Sequence, residues 1–288
     1  MKPFVVGFNQ GQYGDLFIGL TACSVIKSIW PSSTMIYSVN KKYTDVIPIL
    51  RLSPYIDKFI IWEGYEDWPL PLDSANLGKL LELEKKAGEN SFQFFQPMEK
   101  HTVADWYNYW HQTAESCVMH SLPRPTKEQE NFKLPKPEVE QEETITICTG
   151  RRKNKEGEYN TKAVTLEQIE TVKGFCEENN LKLIQIKGGE EDLIEGVEHF
   201  EGNYSESVIK VLQSKILVSC DTGMIWASSA FSHPTIGLYD LSFYPDAATH
   251  LNWVPKNENQ VTIFSKEIKN IGLHKLEECL SDMYNTSK

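Results

Sequence analysis

Short runs of β-branched and aromatic residues alternate with stretches of helical period along this chain, and the alternation breaks at a proline-rich segment before starting again. Such a pattern forces the chain toward parallel sheets flanked by helices, because each parallel strand pair needs a crossover and a helix is the usual one. Residues 4–8 read as a first strand, after which Leu16, Leu20, Cys23, Ile26, Lys27 and Trp30 recur at helical spacing. Residues 34–39 read as a second strand. Tyr43, Val46, Ile47 and Leu50 make another helical face, closed by Ser53-Pro54, and residues 57–62 supply a third strand. From 122 to 143, Pro123, Pro125, Pro135 and Pro137 stand among Lys and Glu, a composition that favours an extended, solvated linker. The pattern then repeats: strand 144–148, polar loop 149–162, helix 166–180 opened by Thr165, strand 182–186 running into Gly188-Gly189, helix 205–214, a strand reaching Asp221, helix 223–231, and strand 235–239 after Pro234.

The expected class is therefore α/β, with two doubly wound domains over 1–122 and 144–265 joined by a linker at 123–143. An amphipathic stretch in 266–288 is expected to lean back onto the first domain. Ligands of such sheets bind outside the carboxyl ends of the strands, so the cleft between two such domains is the default site. The segment 63–121 reads as helical, with a helix at 76–87 and an aromatic cluster of Trp106, Tyr107, Tyr109 and Trp110. That cluster suits packing better than stacking on a sugar or base.

Composition narrows the function. A length of 288 residues accommodates two cores, and a net charge of -11 argues against a broad nucleic-acid footprint, though not against a local basic groove. The six cysteines are scattered without a C-x-x-C, and the seven histidines contain no H-x-x-x-H, so reduced thiols are expected and neither a disulfide framework nor a metal site is. No apolar run is long enough to span a bilayer, and the N-terminus turns polar too early for a signal peptide, so the expected location is cytoplasmic.

Several βα turns carry residues suited to a polar ligand. The richest is Asp221-Thr222-Gly223, where Ile216-Leu217-Val218-Ser219 gives way to the small-residue helix pattern Ala227-Ser228-Ser229-Ala230. A buried strand ending there presents unpaired backbone N–H groups, a hydroxyl and a bare glycine at a sheet edge, which suits a diphosphate. Alternatively, Asp221 caps the helix and Gly223 serves close packing. Arg151, Arg152, Lys153, Lys155 and Lys162, five bases within twelve residues, either contact phosphate or form an ordinary solvated face. Gly188-Gly189-Glu190-Glu191-Asp192 suits ribose hydroxyls, or is a plain turn with acidic residues opening the next helix. In the first half, Asn9-Gln10-Gly11-Gln12-Tyr13-Gly14-Asp15 ends in a carboxylate that either caps the first helix or points into the cleft.

Together these residues resemble the family-9 glycosyltransferases, the ADP-heptose:lipopolysaccharide heptosyltransferases and their relatives. The resemblance rests on Gly14-Asp15 followed by a small and apolar helix and Trp30-Pro31, and on Gly188-Gly189-Glu190-Glu191. Above all it rests on Asp221-Thr222-Gly223-Met224 with Ala227-Ser228-Ser229-Ala230 and His233-Pro234-Thr235-Ile236-Gly237-Leu238-Tyr239, in matching order over most of the chain. It implies a GT-B architecture, two Rossmann-like domains facing across a cleft. It also implies inverting, metal-independent transfer, without a cofactor, from a nucleotide-diphosphate sugar to a hydroxyl acceptor such as a glycan. Asp15 then corresponds to the base, with Gln12, Tyr13 and Gly14 on the acceptor side. Lys162 corresponds to the donor-phosphate lysine, with Arg151 and Arg152 of the same basic run as further candidate phosphate contacts, Asp221, Thr222 and Gly223 to the diphosphate turn, and Glu191 or Glu190, after Gly188-Gly189, to the ribose ligand. The chain departs from the family at Trp226, where histidine is usual, and at Tyr239-Asp240-Leu241-Ser242, where a Tyr/Phe-Gly-Pro-Thr turn is usual. Two further readings fit the residues: a glycosyltransferase of DNA bases, as viruses encode, and a catalytically silent nucleotide-sugar-binding module.

Overall fold

In the computed structural model of the chain, residues 4–7, 12–29, 31–32, 34–62, 133–153, 156–243 and 257–286 are described. The helix expected at 76–87, the aromatic cluster at 106–110 and the linker before 133 lie outside them. The chain divides into two compact units, Met1–Leu134 and Pro135–Lys288.

In the first unit, β1 (Phe4–Gly7), β2 (Thr34–Asn40) and β3 (Lys58–Trp62) pair in parallel in the order β1-β2-β3, with α1 (Tyr13–Ile29) crossing from β1 to β2. Leu16, Leu20 and Cys23 lie on one stripe of α1 and are buried, as are Met35, Tyr37 and Val39 on one face of β2. The Tyr37 hydroxyl donates to the Leu16 carbonyl at 2.9 Å, so the strand also closes a polar group of the helix. The helix expected over Tyr43–Leu50 is instead a 3-10 turn, Lys41–Val46, followed by a single turn α2 (Ile47–Leu50). Asn40 starts the tight turn by accepting from the Lys42 amide at 2.9 Å. Pro48, with no N–H to give, sits in the first turn of α2, where that loss is harmless.

In the second unit, β4 (Thr144–Cys148), α3 (Leu166–Glu178), β5 (Lys182–Ile186), β6 (Glu198–Phe200), α4 (Tyr204–Gln213), β7 (Ile216–Cys220), α5 (Gly223–Ala230), β8 (Thr235–Asp240), β9 (Gln260–Ser265) and α6 (Leu273–Thr286) follow in order. The strands form a parallel sheet ordered β6-β5-β4-β7-β8-β9. Every residue of β4, β7 and β8 is buried, as strands covered on both faces require. Capping boxes open α3, at Thr165 and Gln168, and α4, at Asn203 and Glu206. On one face Ile145, Ile147, Ile216, Val218, Ile236 and Leu238 share a core with Ile169, Val172 and Phe175 of α3. On the other lies α5, where Gly237 is required: a Cβ there would stand 2.8 Å from both Ile225 Cδ1 and Tyr239 Cε2.

The last helix packs within its own unit. Leu276, Cys279, Leu280, Met283 and Tyr284 of α6 are buried in the core of the second unit. Tyr284 meets Phe175 of α3 edge-on at 5.9 Å between ring centroids. The apolar face of α6 thus helps complete the second unit's own core. Two edge strands, β6 and β9, were not expected from the sequence.

Candidate functional site

The second sheet reverses its winding between β4 and β7: the chain runs outward from β4 through β5 to β6, then returns to β7 and continues to β9. Loops diverge at such a point, which opens a crevice at the carboxyl edge. Thr149, Gly150 and Arg151 leave β4 there, and Asp221, Thr222 and Gly223 leave β7. Gly150 has φ +60, and a Cβ on it would stand 2.6 Å from Cys220 Sγ, so the first loop can approach the second only through a glycine.

Helix α5 begins at this edge without a side-chain cap. Its N-cap, Thr222, is extended, but the hydroxyl sits 3.0 Å from Ser219 Oγ instead of turning to a helix amide. The first turn of α5 therefore brings the positive end of the helix to the crevice without a cap from the Thr222 side chain. Tyr204 of α4 braces that turn by donating to the Gly223 carbonyl at 2.8 Å. Asp221 Oδ2 pairs with Lys162 Nζ at 2.8 Å, each side chain being 16% exposed. A lysine is thus already aimed at the helix end, held there by a carboxylate.

The other cations of the loop are engaged too. Arg151 stacks its guanidinium 4.0 Å from the Tyr159 ring centroid and donates to the Val164 carbonyl at 3.2 Å. Arg152 donates to the Gly188 carbonyl at 3.1 Å. Lys153 pairs with Asp192 at 3.5 Å, and the same carboxylate accepts the Tyr159 hydroxyl at 2.5 Å. That phenol bond, helped by Lys153 and Arg151, holds the Asp192 carboxyl below the usual carboxylate range. Lys155 lies outside the described residues.

The two glutamates after β5 separate sharply. Glu190 is exposed, whereas Glu191 is 9% exposed and accepts the Thr149 hydroxyl at 3.3 Å. Burial pushes the Glu191 carboxyl up, against the pull of the Arg152 charge, the Thr149 hydroxyl and the amides of Gly150 and Gly188. At the end of β8, Tyr239 Oη and Asp240 Oδ2 are buried without a hydrogen-bond partner. Burial and then the Asp221 charge push the Tyr239 phenol well above its ordinary value. Both residues lie in the segment where the chain departs from the family pattern.

Gln12, Tyr13, Gly14 and Asp15 come together in the first unit at the start of α1. Asp15 Oδ2 accepts the Gln12 amide at 2.7 Å, so the carboxylate does cap the helix from within its first turn. Tyr13 donates to Asp45 Oδ1 at 2.8 Å and meets Tyr43 edge-on at 4.8 Å. Burial, then the Asp15 charge, pushes the Tyr43 phenol up, which places that phenol in the field of the carboxylate. Thr149, Tyr159 and Tyr204 were not singled out as functional by the sequence. Their partners stand 19 to 42 residues away, beyond any local motif. Among the described residues no three His, Cys, Asp or Glu side chains gather as a metal site. No helix among them is long and apolar enough to cross a membrane.

No family model matches the sequence, and no curated protein does. Solved structures match along nearly the whole chain. A family-9 glycosyl transferase from Veillonella parvula aligns over 99% of this chain and 98% of its own at 12% identity, with a TM-score of 0.69. The E. coli heptosyltransferase WaaC, solved with ADP, aligns over 97% and 99% at 13% identity and a TM-score of 0.65. E. coli ADP-heptose lps heptosyltransferase II aligns over 99% of each chain at 13% identity and a TM-score of 0.63. The chain therefore has the GT-B fold, in the form taken by family-9 glycosyltransferase structures.

Proposed function

We propose that the protein is a glycosyltransferase that moves a sugar from a nucleotide-diphosphate donor to a hydroxyl acceptor, with inversion and without a metal. One observation carries the reading most: the N-terminus of α5 at the switch point, which the Thr222 side chain does not cap, with Lys162 2.8 Å from Asp221 beside it. A diphosphate is the ligand such an arrangement suits, because helix amides and a lysine both favour anionic oxygens. The fold adds to this, since one matching structure, WaaC, was solved with ADP.

In this mechanism the Asp15 carboxylate accepts the proton of the acceptor hydroxyl while that oxygen attacks the anomeric carbon. The bond to the diphosphate breaks on the opposite face, and its electron pair leaves with the nucleotide. Thr222, the Gly223 amide and Lys162 then stabilise the charge that grows on the departing oxygen. Lys162 exchanges Asp221 for phosphate as the donor enters. The Gln12 amide, 2.7 Å from Asp15 Oδ2, orients the base.

Titration of UDP-glucose, GDP-mannose and ADP-glucose into the protein tests the donor half of this reading, since a true donor also stabilises the fold by mass action. The base is tested by Asp15→Asn, which is expected to abolish transfer and leave donor affinity within about twofold of the parent, because the change removes an interaction made only in the transition state. Unchanged turnover in that variant removes Asp15 as the base. The silent-module reading stays tied to Trp226, half-buried on α5, and is favoured by donor binding with neither hydrolysis nor transfer.

A further inference from the structure

Resting on the donor-binding reading above, we infer that Glu191 is not a ribose ligand but a positioning residue, whose buried carboxylate locks the loop after β5 to the loop after β4. The carboxylate accepts Thr149 Oγ1 at 3.3 Å and faces the Arg152 guanidinium and the amides of Gly150 and Gly188. Arg152 closes the same junction from the other side by donating to the Gly188 carbonyl at 3.1 Å. The glycine pair makes room for this contact: a Cβ on Gly188 would stand 3.0 Å from Glu191 Oε1, and one on Gly189 3.2 Å from Arg152 Nη2. Gly189 also has φ +55, a left-handed backbone that favours glycine there.

The lock extends to the diphosphate turn. Gly150 packs against Cys220 Sγ, and Cys220 immediately precedes Asp221-Thr222-Gly223. The buried Cys148 and Cys220 thiols both lie in the field of Glu191 and are raised by it after burial itself. Movement of Glu191 is therefore felt at Gly150, then at the end of β7. Glu190, exposed one residue earlier in the same turn, is the carboxylate with open access to a ligand. The groups packed on Glu191 from the β4 side are Thr149, Gly150, Arg152 and Cys148, and from β7 Cys220. Arg152 supplies the opposite charge among them.

A ribose ligand and a positioning residue respond differently to loss of the ribose hydroxyl. UDP-glucose, GDP-mannose and ADP-glucose, each beside its 2′-deoxyribose counterpart, are titrated calorimetrically into the full chain and its variants. Glu191→Gln is expected to weaken the ribose and deoxyribose forms by the same factor, on the order of tenfold, as loss of charge-assisted contacts does. Glu190→Gln weakens the ribose form alone. Parent affinity is expected to fall as pH is lowered and Glu191 takes up a proton, whereas Glu191→Gln gives a flat profile; a merely structural role leaves that profile unmoved. Thr149→Val, which removes one donor and keeps the shape, reproduces the uniform loss more weakly and decides the matter if Glu191→Gln does not fold. A changed ribose-to-deoxyribose ratio in Glu191→Gln, or unchanged affinities and pH profile in both variants, overturns the inference. A parent that binds none of the six compounds overturns the functional reading beneath it as well.

Discussion

At single residues, the site is made of groups whose burial works against the fold. Tyr239 Oη is fully buried and unpartnered, and such a group forfeits its hydration without return. Tyr239→Phe is therefore expected to stabilise the chain by about 1 kcal/mol, close to 3 °C in melting temperature for a unit of this size. A melting curve that does not rise shows that the hydroxyl has found a partner in solution. Glu191 makes the same case through pH. Its folded carboxyl titrates above its ordinary value of 4.5 because burial disfavours the charge. Below the unfolded value both states hold the proton. As pH rises past that value the unfolded chain releases its proton first, so the stability contributed by this group is lost progressively until the folded carboxyl also ionises. The difference in urea stability between the parent and Glu191→Gln should shift against the parent over that interval. Donor affinity is expected to move the opposite way, so ionised Glu191 weakens the fold and strengthens the site.

At the level of elements, what the sequence disclosed depended on whether a cause was local. Strands β4, β7 and β8 were legible because each is a short run rich in β-branched and apolar residues bounded by polar turns. The end of β7 and the start of α5 were legible together, since Asp-Thr-Gly followed by small residues is a local signal. Strand β6, Glu198-His199-Phe200, was not: it is three residues long, largely exposed, and a strand only through its register with Ile184, Gln185 and Ile186. In the same way, Asp15 could be read as cap or base from sequence, and the Gln12 bond shows the cap without removing the carboxylate from chemistry. The contact of Glu191 with Thr149 spans 42 residues and left no local trace. Helix α5 itself can be tested by supplying the cap it lacks. Thr222→Asp places an acceptor on its first amides and should stabilise the fold by about 0.5–1 kcal/mol while weakening donor binding, because the new carboxylate occupies and repels the anion's place. Tighter donor binding in that variant would mean that the diphosphate is not held at α5.

For the whole molecule, identity of 12–13% to the matching structures coexists with alignment over nearly the full chain, so what is shared is the course of the backbone more than the residues that carry it. The net charge of -11 has a counterpart within the second unit. Arg152, Lys153 and Lys162 stand against Glu191, Asp192 and Asp221, so under the proposed function an arriving anion would exchange partners with carboxylates already in place. This exchange depends on a rigid second unit, and α6 is the element that completes its core. Five of its residues are buried, Leu276, Cys279, Leu280, Met283 and Tyr284. At roughly 1.5–3 kcal/mol for each large apolar side chain, their burial is worth about 10 kcal/mol, as much as the entire net stability of an ordinary domain. A chain ending at Gly272 touches none of the proposed donor ligands, yet it is expected to lose the cooperative unfolding of the second unit and donor binding with it. Circular dichroism melting and titration with the donor would show both losses. Survival of either would mean that the sheet and α3 are stable without α6, and that the helix is a cover rather than a part of the core.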